Sequence, residues 1–305
     1  MKRLIAYKTD VQLTANIIEI FSSSINKYSK GSTSKILHIN EFLQNGIPKN
    51  VDGIITLGIL RGTGHLLQEA AKKNIERYYI DHAYFEPGYQ GECWLRISRN
   101  KHTINYINDV SSYRWDYFFS KKYHILPWKN FEPKRKQILI IPPTNAISWY
   151  FNEYKWKENL LSYLKKILNS QIFKNIKIRE KPNEPVVDRN GNYLGIKQNS
   201  KFDNVPLEED LKNSCLVIAY NSQVALDATL KGIPVIVDKH NSCFGLSFKF
   251  SDLEKGLDNP VFDIEPDRLS LCKWLSYCQY SLKEIKSGFA WKTINNFQNQ
   301  KDQIA

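Results

Sequence analysis

The sequence predicts an α/β protein of two domains, each a mostly parallel sheet flanked by helices. Three observations carry that prediction. The chain has 305 residues, too many for one small core and enough for two domains of ordinary size. Short apolar runs alternate with amphipathic stretches from the start, the pattern of strands joined by helical crossovers. The stretch Cys215–Asp238, CLVIAYNSQVALDATLKGIPVIVD, compresses strand, turn, helix, turn and strand into one motif.

Lys2–Tyr7 is expected as the first strand. Gln12–Tyr28 follows as an amphipathic helix with Ile17, Ile18, Ile20, Phe21 and Ile25 on its apolar side. Lys35–Ile39 and Asp52–Gly58 read as strands, Leu66–Lys73 as a helix and Arg77–Ile80 as a fourth strand. Trp94–Ser98 alternates as a strand, and Thr103–Ile107 reads as another short one. Lys121–Lys136, with Pro127, Pro133 and the Lys134-Arg135-Lys136 run, has the composition of a linker.

Gln137–Ile141 then opens a second set of strands, and Ile147–Leu168 reads as one long helix. Asn175–Lys181 is a strand, Asp188–Asn192 a hairpin turn and Pro206–Lys212 a short acidic helix. Within the 215–238 motif, Cys215–Ala219 is a strand buried on both faces. Tyr220-Asn221-Ser222 ends it and supplies a helix N-cap. Val224, Ala225, Ala228 and Leu230 carry the helical face, Gly232 is its C′ residue, and Pro234 bars it from resuming. Pro234–Val237 returns as a strand, His240–Gly245 is a polar loop beyond it, and Trp274–Gly288 closes the fold.

Open α/β sheets bind ligands at the carboxyl ends of their strands, so the residues just past each strand are the candidates. Asn221 and Ser222 place backbone N–H groups at a helix N-terminus, which suits a phosphate. Asp227 stands about a turn further on, within reach of a ribose hydroxyl. The same residues also suit an ordinary capped helix. Thr144 lies in the rigid Pro142-Pro143-Thr144-Asn145 loop, and Arg179 and Lys181 end a strand with basic charge.

Asp81 and His82 follow the fourth strand amid Tyr78, Tyr79, Tyr84 and Phe85. Aromatic neighbours desolvate a carboxylate and raise its pKa, which makes Asp81 a candidate general base and His82 the alternative. A capping Asp beside a structural His reads equally well. Gly58–Gly64, GILRGTG, lacks the Lys-Ser/Thr of a phosphate loop. It reads as an acceptor-side or interdomain loop carrying Arg61, with Thr63 able to cap the next helix, or as a plain βα turn. Trp94, Arg96 and Arg99 belong to a basic-aromatic insert that suits nucleic acid, sugars, or an aromatic core with solvated edges.

The formal net charge of +12 suggests an anionic partner: nucleic acid, acidic glycan, an anionic membrane face or a phosphorylated donor. Lys-rich composition alone also produces it. Five cysteines, odd in number and without CxxC pairing, fit a reducing compartment and imply neither a disulfide framework nor a zinc site. The N-terminus lacks the apolar core of a signal peptide, and no run approaches the ~18 apolar residues of a membrane span, so the cytoplasm is expected.

The Asn-Ser turn, the small-residue helix with an acid inside it and the run Lys231-Gly232-Ile233-Pro234-Val235-Ile236 together resemble the nucleotide-sugar half of GT-B glycosyltransferases. The likeness is to the capsule-polysaccharide and Kdo-transferase-like branch, and the Glu284–Gly288 tail resembles the end of the same branch. The resemblance implies two Rossmann-like domains with a cleft between them: residues 1–133 for the acceptor, 134–280 for the donor, and 281–305 crossing back as a helix. It implies a nucleotide-sugar held by Thr144, Arg179, Lys181, Asn221, Ser222 and Asp227, without a metal or cofactor. A UDP-sugar is favoured, because Lys181 stands where that branch often has a His before the Pro. Asp81 or His82 would take the acceptor proton, with Arg61, Tyr84, Trp94, Arg96 and Arg99 on the acceptor side. The basic balance favours a hydroxymethylated base in DNA, as in phage DNA glucosyltransferases, which are also GT-B proteins. A surface glycan is the alternative, and a reading of a different class is a GT-B frame that binds nucleic acid without catalysis.

Overall fold

The computed structural model describes residues 1–198, 204–256 and 261–297. The chain begins with β1 (Lys2–Lys8), α1 (Gln12–Tyr28), β2 (Ser32–His38), α2 (Ile39–Asn45), β3 (Gly53–Leu57), α3 (Thr63–Lys72), β4 (Glu76–His82) and β5 (Trp94–Arg99). It continues with β6 (Gln137–Ile141), α4 (Asn145–Phe151), α5 (Trp156–Ile167), α6 (Ser170–Lys174), β7 (Ile176–Ile178), β8 (Asn183–Val187) and β9 (Tyr193–Gln198). Next come α7 (Leu207–Lys212), β10 (Ser214–Ala219), α8 (Val224–Leu230), β11 (Val235–Val237), α9 (Phe250–Gly256) and α10 (Arg268–Tyr277). The described chain ends with β12 (Gln279–Ser281), α11 (Leu282–Lys286) and α12 (Phe289–Phe297). It divides into two units: residues 1–102, 190–193 and 275–305 form unit 1, and residues 103–189 and 194–274 form unit 2. The α/β class with mostly parallel sheets, expected from the alternation of elements, is what the structure shows.

In unit 1 the sheet order is β12-β5-β4-β3-β1-β2. Strands β2, β1, β3 and β4 are parallel, because a helix or a long connection separates each from the next. β5 and β12 extend the sheet antiparallel. The buried side of α1, with Ile17, Ile18, Phe21 and Ile25, packs on Leu4, Ile55, Tyr78 and Ile80. The returning tail completes this core with Tyr280, Ile285, Ala290, Trp291 and Ile294. The Trp291 ring meets Tyr78 at 4.9 Å and Phe21 at 6.1 Å between centroids. Trp291→Ala is therefore expected to cost about 3–5 kcal/mol, read as a lowered urea midpoint.

Unit 2 holds an all-parallel sheet ordered β11-β10-β6-β7, beside the two-stranded pair β8-β9. Ile138, Ile140, Leu216, Ile218 and Ile236 from the sheet pack against Leu160, Leu164, Leu168 and Ile172. α8 ends as the spacing requires: Gly232 at φ 73 donates to Thr229 O at 3.1 Å, and Ile233 N reaches back to Ala228 O at 2.9 Å. This paired closure is the Schellman arrangement that a left-handed glycine permits.

Four sequence expectations change. The long helix over 147–168 is two helices, α4 and α5, because Asn152 adopts φ 58 and terminates the first. Asn tolerates that left-handed conformation better than most residues. Thr103–Ile107 is irregular, with no strand there. The chain passes from one unit to the other at 102/103, 189/190, 193/194 and 274/275, where breaks at 133/134 and 280/281 were expected. Finally, Thr63 is the first residue of α3, whose N-cap is Gly62 at φ 93. The Thr63 hydroxyl donates back to Leu60 O and Gly58 O at 2.7 and 2.9 Å, so it ties the loop and does not cap the helix.

Candidate functional site

In unit 2, β6 and β10 lie side by side, and Ile141 pairs with Ala219 at their carboxyl ends. The connection after β6 leads to β7 on one side, and the connection after β10 leads to β11 on the other. The strand order therefore reverses between β6 and β10. Such a reversal opens a crevice at the carboxyl edge of an open sheet, the usual place for a ligand. Two loops leave the sheet there together, Pro142–Asn145 and Tyr220–Ser222, with Tyr220 N held 3.4 Å from Ile141 O.

The Asn221-Ser222 turn is half-buried. The N-cap of α8 is Gln223, one residue later than expected, and its side chain makes no capping bond. Instead, Ser222 Oγ accepts from Val224 N at 3.3 Å. Asn241, from the polar loop after β11, braces the turn: it is buried, donates to Ser222 O at 3.1 Å and accepts from Cys243 N at 2.9 Å. His240 of the same loop stacks on Phe151 with centroids 3.8 Å apart, and Tyr220 stands 5.7 Å from it. Burial lowers the His240 pKa, opposed by the Asp238 carboxylate.

Thr144 and Lys181 line one pocket of roughly 170 Å³. Thr144 is the N-cap of α4, its hydroxyl accepting from Ile147 N at 3.3 Å. Asn145 N, in the same first turn, donates to the Glu184 carboxylate from β8. A carboxylate of the chain thus occupies the place where a helix start attracts an anion. Lys157 pairs with Glu180 at 2.9 Å, and that hydrogen bond raises the Lys157 pKa. With Glu153 and Glu158 also on its wall, the pocket is richer in carboxylates than its basic strand end suggested.

Two expected donor residues lie elsewhere. Arg179 turns to the buried Asp210 of α7 at 2.6 Å and to Val205 O at 2.7 Å, and Lys177 meets the same carboxylate at 2.8 Å. Its charge answers a buried carboxylate, and it does not line the pocket of Thr144 and Lys181. Asp227 lines a separate pocket with Lys122, His124, Leu207, Glu208 and Lys231, not the one shared by Thr144 and Lys181. Burial raises its pKa, with Lys231 pulling the other way.

In unit 1, β4 runs on past Ile80, so Asp81 and His82 belong to the strand and not to a loop. The register sets Asp81 directly opposite Arg96 on β5. Arg96 Nη2 donates to Asp81 Oδ2 at 2.8 Å, Tyr79 OH donates to the same oxygen at 2.5 Å, and Tyr89 OH donates to Oδ1 at 2.8 Å. Burial pushes the Asp81 carboxyl up, but the Arg96 charge, aided by His102 and the Tyr79 hydroxyl, outweighs it. The pKa falls well below the usual carboxylate range. The expected upward shift is therefore reversed, because aromatic residues here bring hydroxyl donors as well as dryness. His82 is exposed and stacks on Tyr89 at 3.9 Å.

The five acceptor-side candidates all lie in unit 1. Arg96 answers Asp81, and Arg99 is bonded to Glu76, so both charges are met inside unit 1. Tyr84 is buried under the Arg96 guanidinium at 5.6 Å, and Trp94 is half-buried in β5. Arg61 is exposed at φ 60, its guanidinium 4.3 Å from the Tyr193 ring centroid. Among the described residues no group of three or more His, Cys, Asp or Glu side chains is arranged to hold a metal ion. Among them, too, no helix is long and apolar enough to cross a membrane.

The chain matches no family model, and no curated protein matches it in sequence. Among solved structures it is similar to the KpsC beta Kdo 2,4 transferase of Thermosulfurimonas dismutans, with TM-score 0.48 and 10% identity over 96% of this chain and 98% of that one. It is also similar to the KpsC beta Kdo 2,7 transferase of the same organism, with TM-score 0.42 and 14% identity over 96% and 99%.

Proposed function

We propose that the carboxyl edge of the unit 2 sheet binds a nucleotide-sugar, a UDP-sugar being the expected donor, and that the protein is a glycosyltransferase. One observation carries this reading: the strand order reverses where the Thr144 and Asn221-Ser222 loops emerge. The reading also rests on the residue pattern of the 215–238 motif, whose turn Asn241 holds in place. Lys181 supplies the positive charge that a departing phosphate needs, and no metal ion is invoked.

His82 is the better proton acceptor for the incoming hydroxyl. Asp81 is held ionised by three donors, and a carboxylate so stabilised is a weak base. A glycan hydroxyl is favoured over a DNA base as acceptor, because Arg96 and Arg99 are neutralised within unit 1. Transfer to a glycan should then change little with salt, whereas a steep loss would return DNA to first place.

Calorimetry with UDP, CMP, GDP and their sugars tests the donor site. Lys181→Ala is expected to weaken nucleotide binding by roughly tenfold or more, the loss of one charge-assisted bond. Glu184→Gln is expected to strengthen it, because it removes the carboxylate bound to Asn145 N. Absence of any nucleotide binding by the wild-type chain, or unchanged affinity in Lys181→Ala, would overturn the assignment.

A further inference from the structure

We propose that the segment Tyr113–Lys122 of unit 2 docks onto the anionic headgroup surface of a membrane. The segment is short and helical, wound as a π-turn over Trp115–Phe119 and closed by Ser120 N donating to Trp115 O at 2.9 Å. Its inner side is fixed in the fold: Arg114, Trp115 and Phe119 are buried. Its outer side carries large rings in solvent, with Tyr113 62%, Tyr117 66% and Phe118 37% exposed. Rings anchored from below yet left open to water are unusual on a monomer and mark a surface that meets something.

The geometry of the rings selects the partner. Tyr113 and Tyr117 lie parallel, 14° apart with centroids at 5.7 Å, and Phe118 stands edge-on to Tyr117 at 84° and 4.8 Å. Together they form a compact wedge. An exposed aromatic group built mainly of tyrosine fits the headgroup layer of a bilayer, where tyrosine places its apolar body and polar end in matching surroundings.

The charges agree. Lys121 and Lys122 are exposed on the turn that follows the rings, against one carboxylate within the segment, the exposed Asp116. The whole chain carries +12. Basic side chains beside an aromatic insertion draw a protein to anionic lipid within a Debye length. Because no described helix can span a bilayer, the contact is one of lying on the surface.

Co-sedimentation of the full chain with phosphatidylcholine vesicles, with and without phosphatidylglycerol, tests this. The wild-type chain should pellet with the anionic vesicles and stay in solution with pure phosphatidylcholine. Tyr113→Ala with Tyr117→Ala should lower the partition coefficient about tenfold at unchanged melting temperature, since both rings sit outside the core. Lys121→Glu with Lys122→Glu should lower it by at least about fivefold for each charge removed. Failure of the wild-type chain to pellet with anionic vesicles overturns the proposal. So does an unchanged partition on removing the rings, or ring-dependent binding of a soluble sulfated glycan in its place.

Discussion

Asp81→Ala is expected to lose about 3–5 kcal/mol of stability, because it strands the Arg96 guanidinium, whose side chain is 13% exposed, without its carboxylate. The hydroxyls of Tyr79 and Tyr89 lose their acceptor at the same time. Against a total of about 5–15 kcal/mol for a folded domain, this is a large share. The urea midpoint measures it. Asp81→Leu combined with Arg96→Met should recover much of the loss, since a buried ion pair exchanged for apolar groups of similar volume is often neutral or better. A residue whose only task was proton transfer would behave otherwise: its alanine variant would fold at wild-type stability and fail to turn over.

The same carboxylate sets an acid limit. Its folded pKa is depressed, so between the folded and unfolded values the unfolded chain binds the extra proton. The contribution is complete above the unfolded Asp value of about 3.9 and is lost as pH falls toward the folded value. Between pH 7 and pH 5 this pair adds no slope to stability.

The second large effect is expected at Gly232. A Cβ there would stand 2.0 Å from the carbonyl oxygen of Pro127 and 2.9 Å from Trp128 Cα, both backbone atoms that cannot swing aside. The residue also holds φ 73, and its carbonyl accepts from Lys129 N at 2.8 Å. Gly232→Ala should therefore cost about 3 kcal/mol or more, well beyond the usual range for one methyl group. Gly58→Ala is the control: its φ is 69, but nothing lies within 4 Å of the added carbon. Left-handed strain of about 1–2 kcal/mol is all it should show. Equal thermal shifts in the two variants would mean that the Pro127 contact does not decide the matter.

The sequence made the strands legible where apolar runs are buried on both faces, as in Ile138–Ile141 and Cys215–Ala219. It also showed the end of α8, because a Gly-x-Pro break has few alternatives. It hid whatever depends on register. Asp81 looked like a loop residue because the apolar run stops at Ile80, yet pairing with β5 carries the strand to His82. Only that pairing reveals Arg96 opposite Asp81. In the same way Glu184 reaches Asn145 across 39 positions, and His240 finds Phe151 from another loop. No local pattern announces such partners. The Arg179 partner was hidden for a related reason: Asp210 is buried on α7, and an acidic helix reads as solvated until its packing is known.

The path of the chain has a consequence for synthesis. Unit 1 begins at the first residue, but it waits for β12, α11 and α12, which emerge after the whole of unit 2. On the ribosome the second-begun half can close while the first still shows bare edge hydrogen-bonding groups on β5 and an uncovered face around Tyr78 and Phe21. That interval, and not the finished protein, is when the nascent chain is most exposed to aggregation and to chaperone capture.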